Sequence, residues 1–161
     1  MLKSFHILKD NAHIGIVNRG EAALRFIRAV RDYNQLYGTK MTTIAFYTDR
    51  ESSSLFSEEA GEAYALSSFP EFGKNTGSPY LNRSLMLEAL VVSGCDALWP
   101  GWGFISEDAE FVEMTEKAGL VFLGPSSAAM GLLGDKIQAK ELAEKSGVPI
   151  CPWSKGPVKS L

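Results

Sequence analysis

Cysteine and histidine are both scarce in this sequence. Two cysteines, Cys95 and Cys151, are too few for a disulfide framework, and the expectation is two reduced thiols in a cytoplasmic protein. With only His6 and His13, and no Cys-x-x-Cys spacing, no structural zinc site is expected. His13 lies inside an apolar run and His6 near a terminus, which leaves a Ser-His-acid triad without support. Long hydrophobic runs are missing as well. None approaches the roughly 20 residues that span a bilayer, and the amphipathic opening, Met1 to Asp10, lacks a small-residue cleavage site, so no signal peptide is read there. An excess of basic charge is also absent. The chain carries 16 Lys+Arg against 19 Asp+Glu, a formal net charge of −3, whereas a nucleic-acid binder presents a basic patch.

What is present is the composition of a soluble globular domain. Hydrophobic residues make up 45% and charged residues 22% of 161, enough for one domain with a core of its own. Short apolar runs alternate with amphipathic stretches. Ala12 to Val17 reads as a buried first strand, turning at Asn18-Arg19-Gly20. A helix is predicted from about Glu21 to Tyr37, with Ala23, Phe26, Ile27, Val30 and Tyr37 on its core face and Gly38 as its C-cap. Thr42–Tyr47 is a second strand, Asp49–Ser54 a polar loop, Leu55–Ala60 a short helix and Glu62–Leu66 a third strand. Ser67 to Pro79 carries Pro70, Gly73, Gly77 and Pro79 and reads as a loop. Asn82 caps a helix to Ser93 that turns Leu85, Ala89 and Val92 inward. Asp96–Trp99 and Leu120–Leu123 are two more strands. Between them Ser106 is expected to cap a helix with Phe111, Val112, Thr115 and Ala118 inside. Ser126 or Ser127 opens a short helix and Asp135 a last one, ending at Gly147. The segment from Trp153 to Leu161 has little to pack and reads as interrupted in mid-domain.

Such alternation predicts an α/β protein with a doubly wound parallel sheet covered on both faces. Right-handed crossovers gather the strand-to-helix loops at the carboxyl edge, where ligands of such sheets bind. Those loops include Asn18-Arg19-Gly20, Pro100-Gly101-Trp102-Gly103 and Gly124-Pro125. Gly101-Trp-Gly103-Phe-Ile-Ser106 imitates a dinucleotide fingerprint but has serine at the third glycine and follows a late strand. Gly131-Leu-Leu-Gly134-Asp-Lys136 lacks the spacing and the Ser/Thr of a P-loop. Three features stay open between a functional and a plain structural reading. Lys136 falls in the first turn of a helix, where a lysine does not help helix stability and an anion would be welcome. Trp102 stands between two glycines, as a packed loop aromatic or as the wall of a ligand site. Arg25, Arg28 and Asp32 share the outer stripe of the first helix, as a solvated face or a self-complementary subunit contact.

Five motifs in register carry a family resemblance. Asn18-Arg-Gly-Glu-Ala-Ala-Leu-Arg25, Tyr80-Leu-Asn82, Pro100-Gly-Trp-Gly-Phe-Ile-Ser-Glu107, Phe122-Leu-Gly-Pro125 and Gly134-Asp-Lys136 follow the order seen in biotin carboxylases. Residues 12–154 resemble the N-terminal domain of that enzyme, with 1–11 as an extension and 155–161 opening a linker toward an ATP-grasp region. The resemblance implies a Rossmann-like, pre-ATP-grasp sheet in a ligase that uses ATP, Mg2+ (or Mn2+) and bicarbonate to carboxylate biotin on a carrier domain. It implies partners: the rest of the biotin carboxylase module, the carrier domain, a carboxyltransferase and a second copy in a homodimer. By resemblance, Lys136 contacts nucleotide phosphates, Trp102 and Gly103 lie beside the biotin ring, and Arg25, Arg28 and Asp32 lie near the dimer contact of the bacterial enzymes.

Two positions depart from the common pattern: Trp99 stands where many members have His, and Trp102 where many have Tyr. Trp-containing versions occur in large single-chain carboxylases, whose assembly differs. The family's Gly-rich lid, metal-binding glutamates, catalytic arginine and bicarbonate base lie downstream, so no catalytic residue and no metal ligand is expected in this chain, and the isolated chain is expected to be inactive. The final carboxyl acceptor, whether an acyl-CoA, pyruvate or urea, is chosen in another domain. Two rivals remain: another ATP-grasp ligase of the carbamoyl-phosphate synthetase kind, and a non-catalytic interaction module.

Overall fold

The computed structural model describes residues 8–75 and 77–156. Residues 1–7 of the expected extension and 157–161 of the expected linker lie outside them. The hydrophobic runs become short parallel strands: β1 (His13–Ile16), β2 (Thr42–Tyr47), β3 (Glu62–Ala65), β4 (Ala97–Trp99) and β5 (Val121–Phe122), in the order β3-β2-β1-β4-β5. Every pairing is parallel, and β1 sits in the middle, with Ile14 opposite both Thr43 and Ala97. Central parallel strands bury both faces, which is why these runs read as nearly unbroken apolar sequence.

Helices cover both faces. α1 (Gly20–Tyr37) and α2 (Leu55–Glu59) pack Ala23, Ile27 and Phe56 against Ile16 and Ala45. On the other face α3 (Arg83–Val92) and α4 (Ala109–Lys117) set Leu85, Leu90, Phe111 and Val112 against Ile44, Phe46 and Leu98, joined by Met130 of α5 (Ser127–Gly134). The last helix, α6 (Lys136–Lys145), buries no residue and packs on α5.

Local chemistry explains most element ends. Gly38 takes the left-handed conformation and its N–H donates to the Asn34 carbonyl at 2.9 Å. The Asn82 side chain accepts from the Leu85 amide at 3.2 Å at the start of α3, and the Ser126 hydroxyl from the Ala129 amide at 3.2 Å at the start of α5.

Four details differ from the sequence-based expectation. Tyr37 points outward, ring to ring with Tyr33 at 4.5 Å, because α1 outruns the sheet at its C-terminal end. Val92 is 69% exposed, and Met86 and Leu90 take the inner positions of α3 instead. Asp108, not Ser106, caps α4. Its carboxylate accepts the Phe111 amide at 3.1 Å, and a carboxylate suits the positive helix end better than a hydroxyl. Ala118 is the exposed C-cap of α4, because the helix ends one residue sooner than its apolar period suggests.

Candidate functional site at the carboxyl edge

The chain crosses the sheet between β3 and β4, so the topological switch point lies between the carboxyl ends of β1 and β4. The loops that follow those strands meet there. Asn18 is 3% exposed and acts as their clasp. Its Nδ2 donates to the Pro100 carbonyl at 2.8 Å and to the Trp102 carbonyl at 2.9 Å, while its Oδ1 accepts the Arg19 amide at 2.8 Å. Gly101 makes the close approach tolerable. A Cβ there would lie 2.7 Å from Asn18 Nδ2 and 2.8 Å from Trp99 Cη2, and its φ of +62° also favours glycine. The Asn18 amide thus joins the loops after β1 and β4 at the switch point.

An aromatic row ends in solvent beside this clasp. Phe26 of α1 stacks on Trp99 at 4.5 Å, and Trp99 meets Trp102 edge-on at 6.4 Å. The Trp102 indole is 62% exposed, although its backbone is fixed by Asn18. Gly103 follows with φ +73° and open space around its missing Cβ. Trp102 and Gly103 therefore form one accessible, preorganised surface. Trp102 keeps only an edge contact with Trp99 and leaves most of its surface open to solvent.

Sequence reasoning missed the polar group underneath. Thr48 and Glu51 form a capping box around the turn Asp49–Glu51, a Thr-x-x-Glu signature hidden in what reads as a plain polar loop. Glu51 is 8% exposed. It accepts from the Thr48 amide at 3.1 Å, the Thr48 hydroxyl at 2.6 Å and the Arg19 guanidinium. The Tyr80 hydroxyl shares its proton between Glu51 at 3.0 Å and the Phe46 carbonyl at 2.9 Å. Burial alone raises the pKa of Glu51. The hydrogen bonds from Thr48, Arg19 and Tyr80 outweigh it and hold the carboxyl below its ordinary value. Burial, together with the charge of Glu51, pushes the Tyr80 phenol well up, so both groups keep one protonation state near neutrality.

The other expected site residues lie elsewhere. Lys136 is the exposed first residue of α6. The anion-binding capacity expected of that helix end is already used, because Asp135 accepts the Ile137 and Gln138 amides at 2.9 Å each. Lys136 can therefore serve an anion through its ammonium rather than through the helix N–H groups. On the outer face of α1, Arg28 grips Glu59 of α2 with two bonds of 3.1 and 2.6 Å, helped by Arg31 at 3.2 Å, which lowers the Glu59 pKa. Among the described residues Arg25 reaches only Glu21 of its own helix, at 3.3 Å, and Asp32 is exposed. The three residues share a stripe, but Arg28 is held within the chain.

A cleft of about 630 Å3, walled by Phe72, Gly73, Gly77 and Pro79, opens beside the starts of α3 and α4. Arg83 on its wall is held by Asp108 at 2.6 Å and by Glu110, and neither Trp102 nor Lys136 lines it. Cys95 is buried and Cys151 exposed, both as free thiols, and burial pushes the Cys95 thiol up to about 12. Among the described residues no cluster of three His, Cys, Asp or Glu side chains is placed to hold a metal ion, and no helix is long and apolar enough to cross a membrane.

A five-stranded, all-parallel sheet with helices on both faces defines a doubly wound α/β domain. Residues 11–130 match the family described as the biotin carboxylase N-terminal domain, and the chain belongs to that family. It is 36% identical over 146 residues to the pyruvate carboxylase of Bacillus subtilis (strain 168), covering 91% of this chain and 12% of that protein. Against biotin carboxylase 1 of the same organism the identity is 35% over 146 residues, covering 91% and 30%. Among solved structures, the biotin carboxylase domain dimer of Hydrogenobacter thermophilus 2-oxoglutarate carboxylase, in complex with MgADP, ADP and bicarbonate, superposes with a TM-score of 0.79. It shares 33% identity and covers 92% of this chain and 30% of that one. The chain thus spans a third or less of the length of the relatives it matches.

Proposed function

We propose that residues 12–154 serve as the N-terminal domain of a biotin carboxylase, an ATP-dependent ligase that carboxylates biotin on a carrier domain with bicarbonate. An ATP-grasp region, the carrier and a carboxyltransferase act with it, and the setting is cytoplasmic. The observation that carries this reading is the Trp102 indole, exposed beside Gly103 on a loop that Asn18 holds rigid. A flat, fixed aromatic face next to a residue without a side chain suits the ureido ring of biotin. Biotin-dependent ATP turnover by the polypeptide carrying this chain tests the reading. Turnover that responds to ammonia or an amide donor instead of biotin supports a carbamoyl-phosphate synthetase-like ligase, and no turnover supports an interaction module.

The domain's own contribution to ATP is one cation. Lys136 meets no carboxylate within 4 Å among the described residues, so its ammonium is available to nucleotide phosphates as a point charge. Lys136→Ala is expected to weaken ATP binding by about 1–3 kcal/mol, the range for a hydrogen bond to a charged group. Isothermal titration of the full module with ATP checks this, and an unchanged Kd contradicts it. In this reading the Mg2+ ligands come from other parts of the module.

The homodimer belongs to the same proposal, through the outer face of α1. Arg25, paired only along its own helix with Glu21 among the described residues, and exposed Asp32 can turn toward an interface, whereas Arg28 already holds Glu59. Arg25→Glu is expected to weaken self-association by bringing like charges together. Sedimentation velocity of the full module reads it, and an unaltered dimer constant leaves the stripe as a solvated face.

A further inference from the structure

We infer that Glu51 is a positioning residue for the 100–104 loop, gripping it from both ends through two separate chains of contacts. The first chain runs through Arg19. Its guanidinium donates to Glu51, and its own amide donates to Asn18, whose side chain in turn holds the Pro100 and Trp102 carbonyls. The second runs through Tyr80. Its hydroxyl reaches Glu51 at 3.0 Å, and its buried ring packs on Phe104 at 5.3 Å.

Phe104 is the far end of the loop and sits at φ +49°, a conformation a bulky side chain adopts only where its surroundings impose it. The Tyr80 ring on one side and buried Ile105 on the next residue supply that constraint. Glu51 thus stands at the root of both grips, its side chain hydrogen-bonded to Arg19, Thr48 and Tyr80 rather than to the loop.

Stability alone gives little reason for this carboxylate. Burying a charge costs free energy that its ion pair and hydrogen bonds at best repay, so an apolar residue of similar size serves stability as well. What a fully satisfied buried network provides is a single arrangement of the groups it joins. Here those groups belong to the turns after β1 and β2, the Pro79–Leu81 turn and, through them, the loop after β4. A change in how Arg19 or Tyr80 meets Glu51 is passed to the Trp102 backbone at one end and to Phe104 at the other.

The functional weight of this device rests on the reading of the loop as the acceptor site, and the test keeps the two apart. In the 161-residue chain labelled with 5-fluorotryptophan, Trp99, Trp102 and Trp153 give three 19F resonances, assigned by Trp→Phe replacement. Glu51→Gln keeps the shape of the side chain but removes its charge. The expected result is a shifted and broadened Trp102 resonance with Trp153 unmoved. Tyr80→Phe, which keeps the ring on Phe104, is expected to shift Trp102 less. If Glu51→Gln does not fold, Arg19→Gln cuts the first grip at a half-exposed side chain, and the same displacement is expected. A Trp102 resonance with wild-type position and width in the folded variant overturns the inference. In the full module, Glu51→Gln is expected to raise the biotin KM about tenfold or more, the cost of a misplaced contact surface, while the ATP KM stays unchanged. A displaced Trp102 with an unchanged biotin KM supports the positioning and overturns the acceptor-site reading.

Discussion

Gly15→Val is expected to destabilise the domain by about 1–3 kcal/mol or more, the range for overpacking a filled core. Gly15 lies in the middle of β1, paired with Ile44 of β2 on one side and Leu98 of β4 on the other. A Cβ on it would stand 2.2 Å from Leu90 Cδ2, 2.9 Å from Cys95 Sγ and 3.3 Å from a ring carbon of Phe46. Leu90 and Phe46 are both fully buried, so neither can swing into solvent to make room. Glycine costs a strand conformational entropy, and it is present here because α3 comes down onto the sheet at that residue. Urea denaturation at 25 °C measures the loss, and a variant within about 0.5 kcal/mol of wild type, the ordinary spread of harmless substitutions, contradicts the packing described.

Asn18→Asp is expected to cost more than Asn18→Ala. The alanine variant leaves the Pro100 and Trp102 carbonyls without their buried donor, a loss of about 1–3 kcal/mol. The aspartate variant has nearly the same shape but turns an acceptor oxygen and a negative charge toward two carbonyls now 2.8 and 2.9 Å from Nδ2. An uncompensated buried charge costs about 3–5 kcal/mol. Denaturation of both variants in the same buffer gives the order. Equal effects, or a milder aspartate, show that Asn18 fills space there rather than donating to the two loops.

Much of this architecture was legible in the residues. The β-branched and aromatic run Thr42–Tyr47 is a strand over that span, and Gly38 ends the helix before it in the left-handed conformation expected of a C-cap. Their signals are local, a period of two and a single backbone dihedral. Tyr37 and Val92 were misplaced because helical period gives a face but not the length of sheet available to cover it. Ser106 has a capping side chain, yet the cap is decided by where the chain enters the helix, and that follows from the turn through Phe104.

The site was half legible. Trp102 and Gly103 lie in the loop after β4 at the carboxyl edge, where the alternation of strands and helices places it. Lys136 keeps its place at the head of a helix, but Asp135, its neighbour in sequence, takes the amides that seemed to invite a phosphate. Glu51 was hidden because its partners Arg19 and Tyr80 are 32 and 29 residues away, and a charged residue in a polar loop reads as solvated until those partners are seen.

Trp102 is the surface proposed for the carboxyl acceptor. The direct measurement is the kinetics of Trp102→Ala in the polypeptide that carries this chain, followed as bicarbonate-dependent ADP release with free biotin and ATP each varied. The indole is mostly exposed, so its removal is expected to leave the melting temperature and the ATP KM close to wild type. The biotin KM is expected to rise about tenfold, the equivalent of roughly 1.4 kcal/mol, consistent with an aromatic contact worth about 0.5–1.5 kcal/mol beyond its area. A large fall in melting temperature with both KM values moving together, or a biotin KM that does not move, contradicts the assignment.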